Sequence, residues 1–282
     1  IVDKEPTGFR GELLPTLEWI AASGTTRCVL GLRDVLDEEK VLATEWERKG
    51  AVDATEKYYD EIWVYGTKSV YDPTRGLPLS PAARRRLHWT GYLRREITDP
   101  AMVPDTPYVL ITPGGGGDGQ AMVDLVLRAY ETDPTLGPDA VLVYGPFLSG
   151  DVRQAFDARI ARLGGRVKAM GFESKIESLF AGAEGVICMG GYNTFCEILS
   201  FDKPALIVPR TTPRMEQLLR ASQAEALGLV SMLIADRDRP AEAMAARLAR
   251  LPDQLKPSTV RLPALLDGLS VIEEMVDAIL LE

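Results

Sequence analysis

Along nearly the whole chain, short unbroken apolar runs alternate with longer stretches in which apolar residues recur every three or four positions. In the second half the runs fall at 108–112, 140–144, 167–170, 185–189, 205–208 and 229–233. They are apolar at successive rather than alternate positions, as strands covered on both faces must be, which predicts a parallel sheet. Helical periodicity fills the gaps at 120–131, 152–163, 175–181, 194–200, 215–227 and 241–251, and a last helix is predicted over 270–281. Such alternation of strand and helix reads as a doubly wound α/β domain, whose ligands bind outside the carboxyl ends of the strands.

The first half repeats the pattern less cleanly. Helices are predicted at 12–22, 37–49 and 81–87, the second closed by Gly50, with strands at 27–32, 61–65 and 88–93. Residues 94–107 hold three prolines and no periodicity, so they read as the linker between a first domain, 1–93, and a second, 108–282. Ile1-Val2-Asp3 resembles the end of a buried strand, yet nothing precedes it and there is no initiator Met. The expectation is that upstream residues are missing and that the first domain is incomplete.

Composition narrows the function classes. The 282 residues are 46% hydrophobic with a formal net charge of −9, enough for two cores. The acidic balance argues against a nucleic-acid partner, because phosphate backbones are bound by clustered Lys and Arg. The one basic run, Arg84-Arg85-Arg86 with Arg94-Arg95 nearby, is too local to offset that balance. Three cysteines, Cys28, Cys188 and Cys196, with no C-x-x-C, read as buried reduced thiols in a cytoplasmic protein. No apolar run approaches the roughly 18 residues of a transmembrane segment. The sole histidine, His88, excludes a multi-histidine metal site, and its strand-to-turn setting suits packing.

The candidate chemistry lies in loops that leave predicted strand ends. After the strand 108–112 come Gly114, Gly115, Gly116, Gly117, Asp118 and Gly119, which formally satisfy G-x-G-x-x-G. Consecutive glycines make that match cheap, no acid ends the next strand (Val143-Tyr144-Gly145-Pro146), and Gln120 stands where a P-loop needs Lys. What survives is backbone able to pass close to a phosphate, with a plain flexible turn as the alternative. In Val186-Ile187-Cys188-Met189-Gly190-Gly191-Tyr192-Asn193-Thr194-x-x-Glu197, a buried strand runs into a glycine turn and then a helix. A helix N-terminus behind glycines offers bare N–H groups and the positive end of the dipole to a phosphate. Glu197, one turn inside, is placed for a ribose hydroxyl.

Each of these features has a plainer reading. Thr194-x-x-Glu197 is also a capping box, worth about 1 kcal/mol, and Ser174-x-x-Glu177 is another. Phe172 suits either a nucleobase or a hydrophobic staple. Glu216 and Gln217 fall in the first turn of a helix begun by Pro213. Glu216 favours the helix dipole regardless, whereas the Gln217 amide suits a sugar hydroxyl. Asp236-x-Asp238 precedes Pro240 at a helix start, so capping accounts for it and no metal site is expected.

With these loops in view, the chain resembles the GT-B glycosyltransferases of family 28. That family includes the enzyme that adds N-acetylglucosamine to the lipid-linked peptidoglycan precursor, and the likeness is closer to a group of predicted bacterial glycosyltransferases. The most specific residues are Gly190-Gly191-Tyr192-Asn193-Thr194-x-x-Glu197, then Asp202-Lys203-Pro204-Ala205-Leu206-Ile207-Val208-Pro209, then Glu216-Gln217. The resemblance implies two Rossmann-like doubly wound parallel-sheet domains, an incomplete acceptor-side one followed by a donor-binding one. It implies that Glu197 holds the donor ribose, that Gly190, Gly191, Asn193 and Thr194 lie beside the diphosphate with the Gly115, Gly116 and Gly117 loop, and that Phe172 lies at the base. Glu216 and Gln217 would face the donor sugar, and an arginine after Thr90-Gly91, Arg95 in preference to Arg94, would approach the phosphate. Gly117-Asp118 departs from the Ser-Gln of the peptidoglycan enzyme, and an anionic Asp118 beside a diphosphate is unfavourable unless it faces away. The family's N-domain glycine loops and candidate base fall upstream of Ile1, so the catalytic residues are unknown.

The expectation is therefore an enzyme, a metal-independent and inverting hexosyltransferase with no cofactor. It would move a sugar from a nucleotide-diphosphate donor, most simply a UDP-sugar, to a hydroxyl on a small molecule, glycan or lipid-linked acceptor. A nucleotide-sugar hydrolase or epimerase on the same fold, or a non-catalytic partner subunit, are the alternatives.

Overall fold

The computed structural model describes all residues except 116, 236–238 and 282. The chain forms two compact units, one of Ile1–Arg94, Arg214–Arg220 and Leu262–Glu282, the other of Arg95–Pro213 and Ala221–Arg261.

The first unit carries β1 (Val2–Asp3), α1 (Leu14–Ser23), β2 (Val29–Arg33), α2 (Glu39–Arg48), α3 (Ala51–Tyr58), β3 (Glu61–Tyr65), α4 (Pro81–Arg85) and β4 (Leu87–Trp89). Its strands are parallel and stand in chain order, β1-β2-β3-β4. Leu30 and Leu32 of β2 and Ile62 and Val64 of β3 pack with Leu17, Leu36, Leu42, Trp46 and Leu77 in one core. Gly50 closes α2 as predicted, taking φ +61° just past the C-cap Lys49 with its amide on the Glu47 carbonyl (3.0 Å), and it also precedes α3, a helix too short to announce itself by periodicity. Two predictions are corrected here. The last strand stops at Trp89, because the Tyr92 amide turns away to the Leu265 carbonyl (2.8 Å) and the Tyr92 carbonyl accepts from Gly268 (3.2 Å). His88 is exposed on β4 and does not pack inward.

This unit also holds a fully buried ion pair that the sequence does not advertise. Asp34 and Arg220 are 0% and 1% exposed. The Asp34 carboxylate accepts from Arg220 Nε (2.8 Å) and Nη2 (2.7 Å), from Tyr92 Oη (2.9 Å) and from the Val35 amide (2.8 Å). Four donors fill its acceptor sites.

The second unit carries β5 (Tyr108–Thr112), α5 (Gln120–Thr132), β6 (Asp139–Val143), α6 (Gly150–Ile160), β7 (Val167–Met170), α7 (Ile176–Gly182), β8 (Gly185–Cys188), α8 (Tyr192–Ser200) and β9 (Ala205–Ile207). It continues through α9 (Glu216–Ala226), β10 (Ser231–Met232) and α10 (Ala241–Arg250), the first residues of α9 belonging to the first unit. All six strands are parallel, in the order β10-β9-β8-β5-β6-β7. The chain grows one way from β5 to β7, returns to the other side of β5 with β8, and then grows outward again. That is the doubly wound order, and the reversal between β5 and β8 is its topological switch point. Val109, Ile111, Leu142 and Ile187 pack with Val123, Leu127, Met244 and Leu248 of α5 and α10.

All three cysteines are buried and free, and burial pushes the Cys188 thiol up to about 12. Among the described residues, no helix is long and apolar enough to cross a membrane.

Candidate functional site

Strands β5 and β8 are hydrogen-bonded neighbours, with Ile111 opposite Ile187 and Thr112 opposite Cys188. The glycine loop after β5 and the Gly190-Gly191 turn after β8 therefore leave the sheet side by side at the switch point, where open α/β sheets bind ligands. Gly190 has φ +75°, and a Cβ there would lie 2.6 Å from Ile207 Cγ2. The loop after β6 closes on the same place: Gly145 has φ +84°, and its Cβ would lie 2.2 Å from the Gly114 carbonyl oxygen. Only glycine satisfies both the left-handed angle and the space at these two positions. Gly115 has open space where a Cβ would point, and Gly116 lies outside the described residues.

Helix α8 begins at Tyr192 behind Gly191, and no side chain caps it. The predicted capping box is not formed. Thr194 is the third residue of the helix, and Glu197 lies nearly two turns in rather than one. Ser174 does not cap either; α7 starts after Lys175, whose amide donates to Glu173 Oε1 (2.8 Å). Glycines at the turn allow the helix to start earlier than a Thr cap would have it.

Glu197 is only 9% exposed, and its carboxylate takes no hydrogen bond from any described residue. Burial, with Glu177 adding repulsion and Arg95 opposing, lifts its pKa to about 7. Arg95 is tied to the same helix at two points. Its Nη2 donates to Asn193 Oδ1 (3.0 Å) and its amide to Ser200 Oγ (2.8 Å), which in turn donates to the Cys196 carbonyl (2.6 Å). Arg95 Nε is buried without a partner. Three predicted residues, Arg95, Asn193 and Glu197, are thus brought together on α8, while Arg94 is exposed and belongs to the first unit.

Further along the strand tips, Phe172 follows β7 and is 65% exposed. Phe147, in the loop after β6, is 73% exposed, and its carbonyl oxygen lies 2.9 Å from where a Gly117 Cβ would be. Sequence reasoning passed over Phe147, although an aromatic in a strand-end loop is the signal that singled out Phe172. Asp118 is not a bare charge: Arg210 Nη1, beyond β9, meets its Oδ2 at 2.7 Å.

Glu216 and Gln217 fall in the first unit. The helix starts at Glu216 rather than Pro213, after the Met215 amide donates to Asp37 Oδ1 (3.0 Å). Around it, Arg214 bonds Glu45 (3.1 Å) and Asp37 (3.3 Å). Burial would raise the Glu45 carboxyl, but hydrogen bonds from Arg214 and Lys49 hold it down at about 2. Asp236 and Asp238 lie outside the described residues, and the described residues contain no group of three or more His, Cys, Asp or Glu side chains fit to hold a metal.

A doubly wound second unit with glycine turns at its switch point, together with a smaller parallel sheet in the first, has the architecture of the GT-B glycosyltransferase fold. Solved structures share it. The chain matches Acinetobacter baumannii MurG with a TM-score of 0.56 at 14% identity, covering 100% of this chain and 98% of that one. It matches the calicheamicin glycosyltransferase CalG4 with a TM-score of 0.55 at 21% identity, covering 93% and 69%. The model of the glycosyltransferase family 28 C-terminal domain matches residues 115–257. The chain belongs to glycosyltransferase family 28. Among curated relatives it is 28% identical over 193 residues to an uncharacterized glycosyltransferase of Methanosarcina acetivorans, covering 64% of this chain and 47% of that protein. It is also 28% identical over 167 residues to the UDP-N-acetylglucosamine–N-acetylmuramyl-(pentapeptide) pyrophosphoryl-undecaprenol N-acetylglucosamine transferase of Rhodococcus opacus, covering 58% and 42%. The chain thus spans less than half the length of these two relatives.

Proposed function

We propose that this protein transfers a sugar from a nucleotide-diphosphate donor, most simply a UDP-sugar, to an acceptor hydroxyl, without a metal ion and with inversion at the anomeric carbon. The observation that carries this reading is Glu197, a carboxylate 9% exposed with no hydrogen bond from any described residue. A carboxylate so nearly buried is left with few water donors, so a ligand that brings donors is favoured there. The two ribose hydroxyls are such donors. The start of α8 and the glycine turn present amides where the diphosphate then lies, and Arg95 adds a positive charge.

The chemistry that follows is leaving-group stabilisation. The acceptor oxygen forms its bond to the anomeric carbon as the bond to the diphosphate oxygen breaks, and a base takes the acceptor's proton. Helix-terminal amides and Arg95 take up the charge that develops on the departing diphosphate, the task a divalent ion performs elsewhere. One displacement inverts the centre. The name of the Rhodococcus relative specifies UDP-N-acetylglucosamine, which supports uridine, whereas the solved VinC glycosyltransferase holds dTDP.

The test is a thermal-shift and calorimetric panel of UDP, dTDP and GDP in the presence of EDTA. A ligand at 100 times its dissociation constant stabilises by about 2.7 kcal/mol. One diphosphate is expected to shift the midpoint with EDTA present; no shift with any of the three overturns the donor site. Release of free sugar from donor alone at the transfer rate would instead mark a hydrolase.

A further inference from the structure

A diphosphate at the glycine loop leaves one charge to be explained. Asp118 sets a carboxylate in that loop, against a ligand carrying at least two negative charges. The loop after β9 answers it: Arg210 Nη1 lies 2.7 Å from Asp118 Oδ2, a bond between residues 92 apart in sequence. The two side chains remain 27% and 38% exposed, so the pair is no core lock. It borders a cavity of about 260 Å³ whose other walls include Met122, Met189, Val208 and Pro209.

We propose that Arg210 is a positioning residue for the donor, which acts through Asp118 by cancelling the charge of the glycine loop and fixing the loop where the diphosphate is received. This rests on the nucleotide-diphosphate reading. Unpaired, Asp118 repels the ligand at a distance where two charges still interact appreciably near a protein surface. Paired, it becomes a tether between the loops after β5 and β9, strands separated in the sheet by β8. A role for Asp118 in holding a cationic sugar is disfavoured, since Arg210 already occupies it.

Isothermal titration with UDP, dTDP and GDP on the wild-type chain and on Arg210→Ala, Asp118→Asn and the double variant tests this. Arg210→Ala is expected to weaken the best of the three nucleotides about tenfold, and the loss should shrink in high salt, which screens the exposed carboxylate. Asp118→Asn/Arg210→Ala is expected to return to within about threefold of wild type, a coupling that separate structural losses do not produce. If Arg210→Ala alone is poorly folded, the comparison of Asp118→Asn with the double variant carries the test: once residue 118 is neutral, Arg210 should be dispensable. Equal binding by wild type and Arg210→Ala, or a double variant that binds much more weakly than Asp118→Asn, overturns the proposal while the donor site stands. A wild-type chain that binds none of the three overturns the donor site and this inference together.

Discussion

The most deeply buried carboxylate of each unit is treated in the opposite way to the other's. Asp34, at the end of β2, meets four donors, among them a guanidinium as deeply buried as itself. Glu197, on α8, meets none among the described residues. The sheets differ in the same sense. The four strands of the first stand in chain order, whereas the six of the second reverse between β5 and β8. A satisfied buried charge is part of the scaffold. One that no described residue satisfies is, in the reading proposed above, the place where a ligand supplies the missing donors.

The sharpest way to break the comparison is to remove the acid from each unit in turn. Asp34→Ala strands Arg220 in the core without its counter-charge, and such losses cost about 3–5 kcal/mol. Chemical denaturation should show a lower midpoint of that size, with the first unit unfolding first where two transitions resolve. Glu197→Gln removes a charge that burial and Glu177 disfavour more than Arg95 supports, and should leave stability equal or higher while weakening UDP binding. A loss under about 1 kcal/mol for Asp34→Ala would mean that the buried pair is not structural.

Acidity sharpens the contrast further. The Glu197 pKa lies at about 7, above its ordinary 4.5, chiefly through burial. Between those two values the folded protein binds more protons than the unfolded chain, so this group's effect on stability declines as pH rises from about 4.5 to about 7. The span corresponds to roughly 3 kcal/mol as an upper estimate. Glu197→Gln should flatten that part of the stability profile. Nucleotide binding should follow the opposite trend, tightening as the carboxyl ionises through about pH 7 and so accepts both ribose hydroxyls. A wild-type profile that does not change on substitution would assign the titration to another group.

Much of the second unit was legible because its signals are local. Runs such as Val186 to Met189 are buried on both faces, and each predicted strand of that unit appears, though the edge strand predicted at 229–233 shortens to Ser231–Met232. The glycine turns at the ends of β5 and β8 were readable for the same reason, whereas Asn193 and Arg95 were singled out only through the family resemblance. What failed depended on backbone geometry or on distant partners. The Thr194 and Ser174 boxes obey a pattern of spacing, but the helices start elsewhere. Gly50 was readable as the stop it is, but not the short helix α3 that follows it directly. Nothing near Asp34 in sequence announces Arg220, which lies 186 residues away. Asp118 looked like a fault in the glycine loop for the same reason, its neutralising partner being 92 residues on.

A smaller perturbation separates strain from chemistry within the second unit. Gly190→Ala places a methyl 2.6 Å from Ile207 Cγ2, on a branched side chain with little room to yield, and in a conformation with φ +75°. Strain of this kind costs about 1–3 kcal/mol. Because the turn must move to relieve it, UDP affinity should fall along with stability. Glu197→Gln should lower affinity with no such loss, so the two variants distinguish a displaced turn from a missing acceptor. Equal midpoints for Gly190→Ala and wild type would show that the turn relaxes freely.

The smallest expected effect lies at the outer strand tips, where Phe147 and Phe172 stand 73% and 65% exposed. Truncating a side chain already in water changes stability by no more than about 0.5 kcal/mol. If the rings cover the base, each loss should weaken UDP about three- to tenfold, the usual worth of an aromatic contact. Inorganic pyrophosphate has no base and should bind Phe172→Ala, Phe147→Ala and wild type alike. Phe172→Ala is the more informative variant, since Phe147 also presents its carbonyl close to Gly117 and its loop supports the glycine turn through backbone alone. A parallel fall in pyrophosphate and UDP affinity would place these residues in the support of the phosphate loop; an unchanged UDP affinity would leave them as surface aromatics, and the base would have to be held by the backbone of the strand tips instead.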